Sequence, residues 1–156
     1  YLMYTMLKDV IKRGTGKRAL ALKRNDLAGK TGTTNDQKDA WFSGYVNAMV
    51  ATAWVGFDQP ATLGKNEFGS TAALPIWIDF MKIALEDVPQ VQREQPDGMV
   101  TIKIDEATGE LARPGDSSAL EEIFREERTP QTIALPKNKS SNEDTEVQEA
   151  APEQVF

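Results

Sequence analysis

The residues of this chain with the clearest chemical content lie in Leu27-Ala28-Gly29-Lys30-Thr31-Gly32-Thr33-Thr34-Asn35-Asp36, where positions 29–34 hold one amine, three hydroxyls and two glycines. Two chemistries use such a run. In a phosphate-cradling loop, a glycine five positions before the Gly-Lys pair lets backbone N–H groups curl round the anion, and a helix follows. Here that position is Arg24, and the continuation Gly-Thr-Thr-Asn-Asp is a poor helix start. Spacing and context both fail. In an acyl-transfer site, by contrast, the lysine sits on a strand at the rim of a cleft. Alternation along that strand places Lys30 and Gly32 on one face, with Thr31 and Thr33 on the other. Lys30 then supplies a fixed cation, the threonines supply hydroxyls, and Gly32 leaves room for a ligand. A backbone N–H at such an edge, aimed at a developing oxyanion, contributes about 10²–10³ in rate. The run supplies no nucleophile.

Composition narrows the remaining chemistry. The 156 residues include no Cys and no His, which removes thiol nucleophiles, imidazole bases and the usual transition-metal ligands together. Acid–base work near neutral pH must then fall to a lysine or a carboxylate. The formal net charge of −6 is unevenly placed. Residues 1–114 carry 14 basic and 14 acidic side chains, whereas 115–156 carry 4 and 10. The front reads as a neutral globular piece about one domain in size, and the back as an acidic appendage. There is no basic face for nucleic acid. No window reaches the roughly 18 apolar residues of a membrane span, and the start carries no secretory signal. Tyr1 opens directly into a helical pattern, so the chain reads as a segment of something longer.

Several elements must position the lysine strand. Leu2, Met6, Leu7, Val10 and Ile11 recur at helical spacing, and Gly14-Thr15-Gly16 ends that helix as a loop. Ala19–Leu22 reads as a short strand. Strands are then expected over Leu27–Thr34, Ala40–Val46 and Met49–Phe57. Links of a few residues make their pairing antiparallel, and the nearly unbroken apolar run of the third suits a strand covered on both faces. Ala72–Leu85, with Pro75 in its first turn and apolar residues almost all round, reads as a buried helix against the sheet. Met99–Ile104 and Glu110–Ala112 suggest a small hairpin, and residues 116–128 a short charged helix. From Thr129 onward Pro, Lys, Ser, Asn, Glu and Gln dominate, the composition of a disordered tail. The fold class is therefore α+β, an antiparallel sheet flanked by helices with a disordered acidic tail. Its parts are 1–88, an appendage 89–128, and the tail 129–156.

The order and spacing of the motifs carry a resemblance. Asp26 through Asp36, then Asp39-Ala40-Trp41-Phe42 and Gly44-Tyr45, then Trp54-Val55-Gly56-Phe57-Asp58, closely resemble the class A (bifunctional) penicillin-binding proteins, most of all the 1a type. So do Gly14-Thr15-Gly16-Lys17-Arg18-Ala19 upstream and Ala73-Leu74-Pro75-Ile76-Trp77 downstream. The likeness spans about residues 1–115 and implies the C-terminal part of a transpeptidase domain of the penicillin-binding/β-lactamase-like fold. It further implies a parent anchored in the bacterial inner membrane and facing the periplasm. Such parents both polymerise glycan strands and cross-link stem peptides ending in D-Ala-D-Ala, and β-lactams acylate their serine; cell shape and antibiotic resistance depend on them. The resemblance implies Lys30 as the lysine of the third motif, binding the substrate carboxylate and relaying protons. By the same likeness Thr31 and Thr33 bond that carboxylate, Thr33 N–H forms half of the oxyanion hole, and Gly32 permits close approach. It implies no cofactor and no metal. Its partners would be stem peptides, β-lactams, the rest of the parent polypeptide and regulators of cell-wall synthesis.

The chain departs from the family pattern in one large respect. No serine here is followed three positions later by lysine: Ser43, Ser70, Ser117, Ser118, Ser140 and Ser141 lead to Val46, Ala73, Leu120, Glu121, Glu143 and Asp144. Ser140-Ser141-Asn142 fits Ser-x-Asn in form only, since it follows Lys30 in the chain. The nucleophile is thus expected upstream of Tyr1, and this segment alone is expected to be inactive. The alternative is a non-catalytic fragment or relative that acts only as a binding module. Smaller departures are Tyr45-Val46-Asn47-Ala48, which lacks a proline, and Phe68-Gly69-Ser70-Thr71, with a single glycine.

Other candidates have blander readings. Trp41, Tyr45, Trp54 and Trp77 could stack glycan, but their place in strand and helix patterns favours core packing. Asp36 and Asp39 read as turn or surface residues rather than an acid–base pair. The acidic stretch 116–128 and the terminal Val155-Phe156 read as solvated segments, not docking motifs.

Overall fold

The structure, a computed structural model, describes residues 1–135. They divide into two compact units, one of Tyr1–Ile102 with Glu121–Thr129, the other of Lys103–Leu120 with the segment from Pro130. This division by compactness runs differently from the sequence boundaries at 88 and 128.

The first unit begins with α1 (Leu2–Lys12). Its buried residues are Tyr4 and Ile11, while Met6 of the expected stripe is 57% exposed. Three strands follow: β1 (Ala28–Thr33), β2 (Asp39–Val46) and β3 (Met49–Gly56). They form an antiparallel sheet in the order β1-β2-β3, as the short links require. Register pairs Lys30 with Ser43, Thr31 with Phe42 and Gly32 with Trp41. On the second seam Trp41 faces Trp54 and Phe42 faces Ala53. A turn of wide helix over Gly69–Ala73 leads into α2 (Leu74–Ala84), with Pro75 in its first turn where a missing N–H is harmless.

One face of the sheet carries the core. Phe42, Ala40 and Ala53 are buried there with Leu74, Trp77 and Met81 of α2. The Phe42 and Trp77 rings meet edge to face at 4.9 Å, and Trp77 Nε1–H donates to Ala51 O at 3.0 Å. Gly44 is what lets the indole so close: a Cβ there would lie 2.6 Å from Trp77 Cζ2. Burying such aromatics is worth about 1.5–3 kcal/mol each.

The other face departs from expectation. The apolar run of β3 is not covered on both sides: Val50 is 74% exposed, and Trp41 and Trp54 are also exposed, their rings 5.9 Å apart. Nor is α2 buried all round, since Ile76, Phe80 and Ile83 point to solvent. Of the four aromatics read as core, Trp77 is fully buried, Tyr45 only partly. The expected strand at Ala19–Leu22 is instead a 3-10 turn spanning Lys17–Leu22, closed by Lys23 in the left-handed region. Two short apolar pairs with no neighbouring strand to bond cannot hold an extended form.

Two further strands, β4 (Met99–Ile104) and β5 (Leu120–Arg125), make a separate two-stranded sheet. Glu126 N–H donates to Gly98 O, which sets the end of β5 beside the start of β4 in the antiparallel sense. In place of the charged helix expected at 116–128, the chain forms the strand Leu120–Arg125, followed by a 3-10 turn over Glu126–Arg128. In the second unit, Asp105 turns the chain by accepting from Ala107 and Thr108 N–H, and Gly109 adopts φ +72°. Leu111 N–H donates to Thr132 O and Ala134 N–H to Leu111 O, so the segment expected as tail begins with paired backbone. Residues 136–156, the rest of that tail, lie outside the described residues.

Candidate functional site

Lys30, Thr31, Gly32 and Thr33 all lie on β1, an edge strand whose only partner among the described residues is β2. The ladder fixes which backbone groups face outward. Thr34 N–H donates to Asp39 O at 3.0 Å, continuing the β1–β2 register. In an antiparallel pair bonded residues alternate with unbonded ones, so positions 28, 30, 32 and 34 turn their N–H and C=O toward β2. Positions 29, 31 and 33 turn theirs to the open edge. Two N–H groups of the motif, those of Thr31 and Thr33, thus line an edge free of any other strand.

Lys30 bends along that edge. Its Nζ donates to Thr31 O at 2.7 Å and lies 3.4 Å from Thr31 Oγ1. The side chain is exposed, and it starts from the sheet face that also bears Trp41, Ser43, Thr52 and Trp54. Ser43 sits directly opposite Lys30, but its hydroxyl pairs with Thr52 Oγ1 at 2.9 Å. Gly32 sits directly opposite Trp41, and a Cβ there would come 3.2 Å from Trp41 Cβ.

The threonine hydroxyls are on the opposite face and both are engaged. Thr31 Oγ1 meets Thr15 Oγ1 at 2.8 Å. Thr33 Oγ1 accepts from Gly69 N–H at 3.0 Å. Gly69 is pressed onto the strand backbone, where a Cβ would collide with Trp41 O and Gly32 O. Only glycine fits that seat. Beyond the motif the chain turns sharply, with Asp36 and Gln37 both at positive φ (58° and 50°). Thr34 Oγ1 accepts from Asp39 N–H at 2.7 Å, and Trp54 Nε1–H donates to Asp39 Oδ1 at 2.9 Å. Asp39 is accordingly a structural anchor of the turn, as its loop position suggested, and Asp36 pairs loosely with Lys38.

The root of β1 is held differently. Arg24 and Asp26 form a bidentate pair, Nε to Oδ1 at 2.9 Å and Nη2 to Oδ2 at 2.8 Å. Both side chains are buried, at 8% and 1% exposure. Arg24 also donates to Val88 O at 2.7 Å and Pro89 O at 3.1 Å, and Asp26 accepts from Val91 N–H at 3.1 Å. Burial alone would raise the Asp26 carboxyl. The Arg24 guanidinium and Val91 N–H outweigh it and hold the group below its ordinary value. This clasp and the Thr15 and Gly69 contacts went unforeseen from sequence. Asp26 and Gly14-Thr15-Gly16 stood out only as parts of a recurring pattern.

Elsewhere, a cavity of about 530 Å³ is lined by Tyr4, Lys8, Arg93 and Glu122 among others, and by no motif residue. Arg93 stacks on the Tyr4 and Tyr45 rings there, and Arg13 bridges Asp9 and Glu122. No cluster of three or more metal-ligating side chains occurs among the described residues, and no helix there is long and apolar enough to cross a membrane.

No family model matches the chain. A curated relative, penicillin-binding protein 1A of Pseudomonas aeruginosa, is 54% identical over the whole chain, which spans 19% of that protein. Penicillin-binding protein 1A of Vibrio cholerae is 47% identical over 71% of the chain and 15% of its own length. The crystal structure of penicillin-binding protein 1A from Haemophilus influenzae superposes with a TM-score of 0.76 at 36% identity, covering 85% of this chain and 21% of that one. The chain thus spans about one fifth of the length of the relatives it matches. At 54% identity over its whole length to one such protein and a TM-score of 0.76 to the solved structure of another, it belongs to the penicillin-binding protein 1A family.

Proposed function

We propose that this chain is the part of a peptidoglycan D,D-transpeptidase that carries the Lys-Thr-Gly strand, from the C-terminal portion of that domain. What supports the reading is a convergence on one strand edge. The Lys30 ammonium and the outward N–H groups of Thr31 and Thr33 share it, with no competing strand among the described residues. In the reaction a serine oxygen attacks the carbonyl of the penultimate D-Ala. The bond to the terminal D-Ala nitrogen breaks, and the acyl group then passes to an amine on a neighbouring stem.

Each motif residue has a part in that sequence. Lys30 attracts the terminal carboxylate and keeps the reacting peptide beside the strand. Thr33 N–H donates to the oxyanion formed on attack, where a preorganised donor is worth most. The Thr33 hydroxyl accepts from Gly69 and so keeps its own proton to give to the carboxylate. The Thr31 hydroxyl is committed to Thr15, which leaves Thr31 to steady Lys30. The attacking serine and its lysine come from sequence outside this chain, as does half of the oxyanion hole. The parent polypeptide is membrane-anchored, faces the periplasm and also polymerises glycan; its ligands are stem peptides and β-lactams.

The test is capture of labelled penicillin. The full-length polypeptide that contains these residues should form a covalent adduct, and the 156-residue chain by itself should not. Lys30→Ala in the full-length protein should slow capture about 10²-fold or more, the scale of one preorganised electrostatic group. An adduct on the lone chain, or unchanged capture by Lys30→Ala, would overturn the assignment.

A further inference from the structure

We propose that the Gly14-Thr15-Gly16 loop is a positioning element for Lys30, with Thr15 acting through the Thr31 hydroxyl. The proposal rests on the reading of Lys30 as the charged group of the site. The loop folds tightly back onto the end of α1. Gly14 N–H donates to Asp9 O at 3.0 Å and Gly16 N–H to Val10 O at 2.8 Å. A Cβ at Gly14 would lie 2.9 Å from Val10 Cα, and one at Gly16 2.9 Å from Ile11 Cδ1. A side chain at Gly14 would meet the Val10 backbone, and one at Gly16 would have to displace the end of the Ile11 side chain. The two glycines therefore hold the one residue between them against β1, 16 positions further along the chain.

Proton counting gives Thr15 its role. An ammonium has three hydrogens and no lone pair, whereas a hydroxyl has one hydrogen and two lone pairs. Toward Lys30 Nζ, at 3.4 Å, Thr31 Oγ1 can only accept. Its 2.8 Å contact with Thr15 Oγ1, in which either hydroxyl can be the donor, fixes how the Thr31 hydroxyl is turned. With the hydroxyl so held, a lone pair stays aimed at the ammonium, which spends its hydrogens on Thr31 O and Thr31 Oγ1 and keeps a third for the substrate or serine. Without the Thr15 hydroxyl, the Thr31 hydroxyl is free to turn and Lys30 loses one of its two supports. Thr15 is itself exposed, so its hydroxyl does little for the core.

The experiment compares wild type, Thr15→Val, Thr15→Ser and Lys30→Ala in the full-length polypeptide. It reads the acylation rate at saturating penicillin, the half-saturating concentration and the thermal midpoint. Thr15→Val should acylate about fivefold more slowly at saturation, the scale of one neutral hydrogen bond. Thr15→Ser should match wild type, and all three should share one midpoint. Three results would overturn the proposal: Thr15→Val acylating at the wild-type rate, Thr15→Ser as slow as Thr15→Val, or slowing accompanied by a lowered midpoint. If wild type captures no penicillin, or Lys30→Ala captures it unimpaired, the catalytic reading of Lys30 falls first and this proposal falls with it.

Discussion

The two halves of β1 are built by opposite means. Its first residues, Ala28 and Gly29, are buried together with Asp26 and Leu27 that lead into them, and this root is clamped by the Arg24–Asp26 pair to carbonyls up to 65 positions away. Its tip, Lys30 to Thr33, is exposed or half-exposed and is steadied by single hydroxyl contacts from Thr15 and Gly69. An edge strand has only one neighbour to locate it, so the clamp behind the motif replaces the missing second neighbour. The motif can then leave its outward N–H groups without a pairing strand among the described residues. Clamped and open backbone are separated by only a few residues.

This contrast can be tested at both ends. Asp26→Ala leaves the Arg24 guanidinium buried without its counter-charge, which should cost about 3–5 kcal/mol; a large fall in the thermal midpoint of the full-length protein would register it. Lys30→Ala should show the reverse pattern, an unchanged midpoint with penicillin capture slowed about 10²-fold. If both variants lowered stability alike, the two halves would not differ as described. Gly69→Ala tests the seam between them, since its Cβ collides with strand carbonyls. Displacing that turn should cost about 1–3 kcal/mol and also slow capture, because Thr33 loses its Gly69 contact.

The smallest effect concerns pH. The Asp26 carboxyl is depressed in the folded state, so its contribution is complete above its unfolded value of about 3.9 and fades as pH falls through the lower folded value. The gap in midpoint between wild type and Asp26→Asn should therefore be constant near neutrality and narrow progressively below about pH 4. A gap that widened on acidification would contradict the direction of the shift.

Much of this was legible in the chain, for identifiable reasons. Alternation and short links define β1, β2 and β3, and the lysine strand falls where its composition places it. Pro75 marks the start of α2 because its ring suits only a first turn. Other features depend on partners that no local pattern reveals. Leu120–Arg125, with three of six residues charged, favours a solvated helix in isolation, yet pairing with β4 makes it a strand. The apolar girth of α2 and β3 suggested enclosure, whereas the described residues cover only one side of each. The Arg24 clasp joins segments 64 and 65 positions apart, and the Thr15 contact joins two side chains 16 positions apart. Spacing predicts neither bond.

The far edge of β3 has a practical consequence. Among the described residues no strand pairs with it, and Val50 and Trp54 stand exposed beside that seam. An unpaired ladder flanked by apolar side chains is a template on which another extended chain can grow. A solution of this chain alone should stay clear when dilute and cloud as it is concentrated, and a lysine or proline placed on the seam should delay that clouding.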